Sequence, residues 1–122
     1  MTGSRHRVLV IEDEVLIALL LEEMLFALDC EMTDAAVNFE EALPAARNGI
    51  FDLALVDLNL SGKFAYPIAD ILEARRIPFA FVTGYGSAGL EPAYADIPVL
   101  EKPFHREDLK AIITRILAAS KS

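Results

Sequence analysis

Short apolar runs alternate with longer amphipathic stretches along the chain. Five runs are rich in apolar and β-branched residues, at positions 8–11, 32–37, 53–56, 79–82 and 97–100. Segments with helical spacing follow them, at positions 14–28, 39–47, 66–75, about 88–94 and 106–119. Short β-rich runs separated by helices are typical of parallel sheets covered on both faces. The pattern predicts a doubly wound, five-stranded α/β domain.

Two of these elements have weaker sequence support. Thr33 and Asp34 interrupt the second strand. The fourth helix should be short or mobile, because glycine and proline destabilise helices and the stretch after Thr83 contains Gly84, Gly86, Gly89 and Pro92. The second helix has a plausible N-cap in Asn38 and a plausible stop at Asn48-Gly49.

The first helix carries more apolar residues than one buried face needs. An inward stripe is expected at Ile17, Leu20, Leu21, Met24, Leu25 and Leu28. Val15, Leu19 and Phe26 project to the opposite side, beside Glu22 and Glu23. They are either scattered surface residues or a patch on which a partner docks, and the sequence favours neither interpretation.

Length and charge narrow the class of protein. The 122 residues suit one domain, with a core at about 7–119 and a tail at 1–6. The net charge of −8 disfavours direct binding to nucleic acid or anionic membranes. The apolar runs are too short to span a bilayer. Cys30 is the only cysteine, so no disulfide forms within the chain, and a reduced, cytoplasmic location is expected. The oligomeric state is expected to be monomer or weak dimer.

Acidic residues follow two of the predicted strands. Glu12 and Asp13 come directly after the first, and Asp57 comes directly after the third. In a sheet of order 2-1-3-4-5 these strands are neighbours, and ligands collect beyond their carboxyl ends. Converging carboxylates repel unless a cation or proton neutralises them. Magnesium, with its preference for hard oxygen ligands, is the expected ion, with the backbone carbonyl of Asn59 as a further ligand.

Two other strand ends supply complementary groups. Thr83 closes the fourth strand, and Lys102 closely follows the fifth. A carboxylate, a metal ion, a hydroxyl and an ammonium suit phosphoryl transfer in which Asp57 attacks phosphorus and the other groups stabilise the phosphoryl oxygens.

With these residues in place, the chain resembles the receiver domain of two-component response regulators over residues 7–119. The motifs that carry the resemblance are Val8-Leu-Val-Ile-Glu-Asp-Glu14, Leu55-Val-Asp-Leu58, Phe81-Val-Thr-Gly84 and Leu100-Glu-Lys-Pro-Phe104. The resemblance implies a flavodoxin-like fold with strand order 2-1-3-4-5. It also implies a cytoplasmic phosphoprotein that takes a phosphoryl group from a sensor histidine kinase or a histidine phosphotransfer protein and signals by changing conformation.

Roles for individual residues follow from the resemblance. Asp57 is the implied phosphoacceptor, and Glu12 and Asp13 hold Mg²⁺ with the Asn59 carbonyl. Thr83 hydrogen-bonds a phosphoryl oxygen, and Lys102 pairs with the phosphoryl group. The Lys102–Pro103 peptide bond is implied to be cis. The resemblance also implies that the domain is not an enzyme in the usual sense but catalyses its own phosphoryl transfer and dephosphorylation.

The chain departs from most receivers at two places. The loop after Asp57 reads Leu60-Ser-Gly-Lys-Phe-Ala-Tyr-Pro67, and Val99 stands where most receivers carry an aromatic switch residue. This loop and Pro78-Phe-Ala-Phe-Val-Thr-Gly-Tyr-Gly86 look like the FATGUY subgroup of single-domain receivers, which are often partnered with HWE-type kinases. Tyr85 is then the candidate switch residue.

Two other classes of function remain open. One is an interaction module that keeps the fold and works without phosphorylation. The other is a Mg²⁺-dependent phosphohydrolase with an aspartate nucleophile, but such enzymes need a general acid two residues after the nucleophile, where this chain has Asn59.

Overall fold

A parallel five-stranded sheet forms the centre of the molecule in a computed structural model that describes residues 5–84 and 90–120. The strands are β1 (His6–Ile11), β2 (Cys30–Ala36), β3 (Leu53–Asp57), β4 (Phe79–Thr83) and β5 (Val99–Glu101). Their order is 2-1-3-4-5 and every pairing is parallel, which confirms the expected flavodoxin-like topology. The two-residue strands Asn59–Leu60 and Lys63–Phe64 pair separately as a small antiparallel hairpin.

Helices cover both faces of the sheet. They are α1 (Val15–Ala27), α2 (Phe39–Asn48), α3 (Tyr66–Ala74) and α4 (Arg106–Ser120). The core on one face joins the sheet to α1 and α4, and the core on the other joins it to α2 and α3. All five residues of β3 and of β4 are buried, as expected for central strands covered on both sides.

Local sequence explains how α2 begins and ends. The Asn38 side chain caps the helix by accepting a hydrogen bond from the Glu41 N–H at 2.8 Å. At the other end, Arg75 donates to the carbonyls of Ala46 and Gly49 at 2.6 and 2.9 Å, where helix carbonyls lack partners. A Cβ on Gly49 would lie 2.7 Å from the Ala45 carbonyl oxygen, so this close approach requires glycine.

The second strand is irregular where the sequence predicted weakness. Val8 pairs with Met32 and Leu9 pairs with Asp34, so Thr33 is an extra residue in the β1–β2 ladder. An extra residue bends a strand and increases its twist.

Two sequence predictions were wrong in part. Leu20 was expected to face inward, but 40% of it is exposed. Because α1 is apolar almost all round, spacing alone does not define the edge of its buried face. The helix expected at about 88–94 is, in the part that lies within the described residues, only a 3₁₀ turn at Pro92–Tyr94.

Candidate functional site

Four carboxyl groups converge where β1 and β3 end. Glu12 and Asp57 are 1% and 4% exposed, and ligand oxygens from both lie within 4.8 Å of oxygens from Asp13 and Glu14. Parallel strands place their carboxyl ends at one edge of a sheet, and β1 and β3 are neighbours in this sheet. The structure therefore brings the sequence-predicted acids together.

Lys102 reaches into this acidic cluster from the end of β5. Its Nζ lies 2.8 Å from Glu14 Oε1, 3.2 Å from Glu12 Oε1 and 3.5 Å from Asp57 Oδ2. The backbone brings it there, because the Lys102 N–H donates to the Thr83 carbonyl at 2.9 Å and so extends the pairing of β4 with β5. The Lys102–Pro103 peptide bond is cis, which confirms that prediction.

An open cleft of about 450 Å³ gives solvent access to these groups. Its lining includes Asp13, Asp57, Asn59, Ser61, Thr83 and Lys102. Thr83 is 3% exposed at the end of β4, and Asn59 begins the small hairpin. All six polar residues predicted for the site therefore lie at one place, with Glu12 beneath the other five.

Burial, hydrogen bonds and charge shift the pKa values of Asp57 and Asp13 in opposite directions. Burial, a hydrogen bond with Glu12 and the charge of Glu12 raise the pKa of Asp57 to about 8, against the opposing effects of the Asn59 N–H and Lys102. Burial also acts to raise the pKa of Asp13, but hydrogen bonds from Ser61 and from Asp57 outweigh it, so that pKa is lowered.

The pKa of Lys102 is also perturbed by its neighbours. Burial alone would lower it, but the hydrogen bond with Glu14 and the charges of Asp57 and Glu12 outweigh burial, so the pKa is raised. Lys102 is therefore positively charged at neutral pH.

The donor set fits a hard divalent cation. Oxygen ligands dominate the cluster, and Glu12 Oε1 is buried without a hydrogen bond among the described residues, although it lies 3.2 Å from Lys102 Nζ. A single lysine lies among four acidic side chains here, and hard cations such as Mg²⁺ bind carboxylate and carbonyl oxygens.

Two residues of the cleft were not singled out from the sequence. Glu14 forms the shortest ion pair of Lys102, and Ser61 donates from both its backbone N–H and its hydroxyl to Asp13 Oδ2, each at 3.1 Å. Glu14 directly continues the Glu12-Asp13 pair, so its position was a usable sequence signal. Ser61 offered only a Ser-Gly turn signal.

The remaining candidates lie outside the cleft or outside the described residues. Val15, Leu19 and Phe26 are 63%, 54% and 61% exposed on α1, which confirms that they face away from the sheet. Leu16, which the sequence did not single out, is 80% exposed on the same helix. Tyr85 lies outside the described residues.

Within residues 5–84 and 90–120, no helix combines the length and the apolar content needed to cross a bilayer.

Comparison with known proteins relates the chain to response regulators. No protein-family model matches the chain. The cell cycle response regulator CtrA of Brucella abortus is 29% identical over 120 residues, covering 94% of this chain and 51% of that protein. The chain spans about half the length of the curated relatives it matches.

The chain covers nearly the whole length of several solved structures. SdrG from Sphingomonas melonis is 34% identical with a TM-score of 0.80, covering 99% of this chain and 100% of that one. The receiver domain of the Erythrobacter litoralis response regulator PhyR is 28% identical with a TM-score of 0.83, covering 98% and 95%. In fold, the chain also matches the receiver domain of the Pseudomonas aeruginosa sensor kinase PA1611, at 24% identity, 94% and 99% coverage and a TM-score of 0.79, in a structure with magnesium in its active-site cleft.

Together with the sheet order, these likenesses place the protein in a family. The chain belongs to the receiver domains of the response regulators of two-component signalling.

Proposed function

We propose that this receiver domain accepts a phosphoryl group on Asp57 from the phosphohistidine of a kinase or phosphotransfer protein, with Mg²⁺, and signals by a conformational change. The observation that carries the proposal is the position of Asp57. Asp57 is the last residue of a fully buried strand. Its carboxylate lies 3.5 Å from Lys102 Nζ, and the residue lines an open cleft.

In the proposed step, an Asp57 carboxylate oxygen forms a bond to phosphorus. The bond between phosphorus and the donor imidazole nitrogen breaks, and its electron pair stays on that nitrogen. Lys102 and the Thr83 hydroxyl line the same cleft and are assigned to the phosphoryl oxygens, whose negative charge they stabilise. A carboxylate two residues after Asp57 would favour a phosphohydrolase instead, and that position is Asn59.

Asp13, Asp57 and the backbone carbonyl of Asn59 are the proposed metal ligands, with Glu12 beneath them. When bound, Mg²⁺ supplies positive charge that offsets repulsion between the carboxylates and an anionic phosphodonor. The raised pKa of Asp57 is consistent with this assignment, because the protein alone leaves its negative charge poorly compensated.

The phosphodonor is proposed to dock on the outer face of α1. Val15, Leu19 and Phe26 are exposed there, and the helix begins three residues after the buried Glu12. Arg5 lies over the Phe26 ring at 3.8 Å and donates to the Phe26 carbonyl at 2.6 Å, so this aromatic side chain is held in place. A surface apolar ring already fixed in position loses less freedom when a partner covers it.

The finer assignments also belong to this proposal. The loop after Asp57 and the Gly84 region support membership of the FATGUY subgroup, with an HWE-type kinase as the donor. We assign residues 1–122 to one receiver domain that acts as a monomer or weak dimer, with Tyr85 as its switch residue.

The test is incubation with acetyl phosphate and Mg²⁺, followed by intact mass measurement. We expect the wild-type protein to gain one phosphoryl group and Asp57→Asn to gain none. Asp52→Asn is a matched control, because Asp52 precedes the same strand at its opposite end and pairs with Arg7 on the surface. Equal labelling of wild type and Asp57→Asn would refute the assignment of Asp57, and a wild-type protein that gains nothing would favour the phosphorylation-independent module.

A further inference from the structure

The small hairpin beside the cleft has an unusual turn. Ser61 and Gly62 connect its two strands, and both have positive φ values, of 51° and 90°. Two central residues with positive φ are typical of tight hairpin turns, where glycine, asparagine and aspartate are preferred. A serine in the first of these positions is uncommon, so its side chain is expected to have a specific use.

That side chain points to a carboxylate of the cleft. The Ser61 N–H and hydroxyl both donate to Asp13 Oδ2, across 48 residues of sequence. Within the turn, Asn59 Oδ1 accepts from the Gly62 N–H at 2.8 Å. At the base of the hairpin, the Asn59 N–H donates to Asp57 Oδ1 at 3.1 Å. The hairpin is thus hydrogen-bonded to both Asp13 and Asp57.

We propose that Ser61 is a positioning residue for the divalent cation site: it fixes the Asp13 carboxylate through Oδ2 so that Oδ1 is presented to the cation. The inference rests on the proposed function, since it assumes that Asp13 is a metal ligand. Partners that orient metal-binding carboxylates contribute to affinity because the ligand is already held in its bound orientation.

Cation binding is also expected to change the order of the hairpin. Because Ser61 joins the hairpin to Asp13, the hairpin is expected to become more ordered when a cation holds Asp13 in place. Cation binding at the site would in this way stabilise the hairpin as well.

The test measures Mg²⁺ binding by isothermal titration calorimetry without any phosphodonor. Ser61→Gly removes the hydroxyl and suits the positive φ, whereas Ser61→Ala removes the hydroxyl and keeps a Cβ. We expect both variants to weaken Mg²⁺ binding by roughly three- to tenfold, less than the tenfold or more typical of losing an orienting group, because the backbone N–H at position 61 still donates to Asp13 Oδ2. Thr114→Ala, which removes an exposed hydroxyl from α4, should bind Mg²⁺ like the wild type.

Thermal melts of each variant establish that it is folded at the titration temperature, and amide exchange of residues 61–64 reports on the hairpin. We expect Mg²⁺ to slow exchange there in the wild type and to slow it less in Ser61→Gly. A folded Ser61→Gly with unchanged Mg²⁺ affinity overturns the role of Ser61, even if Asp57 is phosphorylated normally. A wild-type protein that binds no Mg²⁺ overturns the proposed metal site and this inference with it.

Discussion

Tyr66 and Tyr94 stack with their ring centroids 4.5 Å apart and their planes inclined by 13°. Phe64 of the small hairpin stacks on Tyr66 at 5.6 Å, and the Tyr66 hydroxyl accepts a hydrogen bond from the Glu91 N–H at 3.0 Å. Phe81 of β4 contacts both tyrosines edge-on. These rings connect the hairpin beside the cleft to the 3₁₀ turn that precedes β5.

Tyr94 should stabilise this connection through its hydroxyl as well as its ring. Its hydroxyl donates to Asp70 on α3, and that hydrogen bond is the largest contribution raising the pKa of Tyr94 to about 12. Tyr94→Phe keeps the stacked ring and should lower the free energy of unfolding by about 1–2 kcal/mol. Tyr94→Leu also loses the aromatic stacking and should cost more. Urea denaturation measures both, and a Tyr94→Phe protein as stable as the wild type would contradict the role of the hydroxyl.

Asp57 should make stability depend on pH. Its pKa is about 8 in the folded protein but about 3.9 in an unfolded chain, so the folded state holds the proton more tightly. The resulting stabilisation is fully present below about pH 4 and is lost as the pH rises through 8. Asp57→Asn should therefore be more stable than the wild type at pH 8 without Mg²⁺, by about 1 kcal/mol or more, since one pKa unit corresponds to about 1.4 kcal/mol. Denaturation at several pH values tests this, and a difference that does not shrink toward pH 4 would contradict it.

Asp13 should contribute to Mg²⁺ binding directly. Asp13→Ala removes a carboxylate whose pKa is lowered and which is therefore charged at neutral pH. We expect Mg²⁺ affinity to fall by roughly tenfold or more, and acetyl phosphate labelling to slow in parallel. Calorimetry and intact mass measure the two effects. Labelling of the wild type at the same rate in a chelator would show that no divalent cation takes part.

Phe26 should affect phosphoryl transfer from a protein donor but not from a small-molecule donor. Phe26→Glu places a charge on the exposed apolar face of α1 and should slow transfer from a cognate kinase or phosphotransfer protein by roughly tenfold, the effect of losing about 1.4 kcal/mol of binding. Labelling by acetyl phosphate should not change. Ile50→Glu is a matched control, because Ile50 is 74% exposed but lies between α2 and β3. Equal loss with both donors would indicate a folding defect instead of a docking defect.

The segment from 84 to 96 is the expected route of the signal. Val99 on β5 is not aromatic, and Thr83 directly precedes this segment. Movement of the Thr83 hydroxyl toward a phosphoryl oxygen would therefore bias the conformation of the segment. We expect beryllofluoride with Mg²⁺ to increase amide protection across 84–96, including the 3₁₀ turn held by Tyr66. Identical protection with and without beryllofluoride would exclude the segment as the switch. A change confined to β5 would instead indicate that the signal passes through that strand, as is typical of receivers.

Much of the fold was predictable because apolar runs and strand ends are local features. The buried runs of β3 and β4 and the acids at the ends of β1 and β3 were read directly from the sequence. The contact between Ser61 and Asp13 was not, because it joins residues 48 positions apart through a turn whose geometry the sequence leaves open. Leu20 was misplaced because a helix with apolar residues on all sides has no periodic boundary to read.

The two sides of α1 are subject to different requirements. Leu21 and Leu25 are fully buried against the sheet, so substitutions there disturb the core. Leu16 and Leu19 are more than half exposed and contribute little to that core. Substitutions on the outer side are therefore expected to be nearly neutral for folding and independent of those on the inner side. On the proposed docking face, the contact surface can therefore change through substitutions on one side of the helix while the other side preserves the architecture.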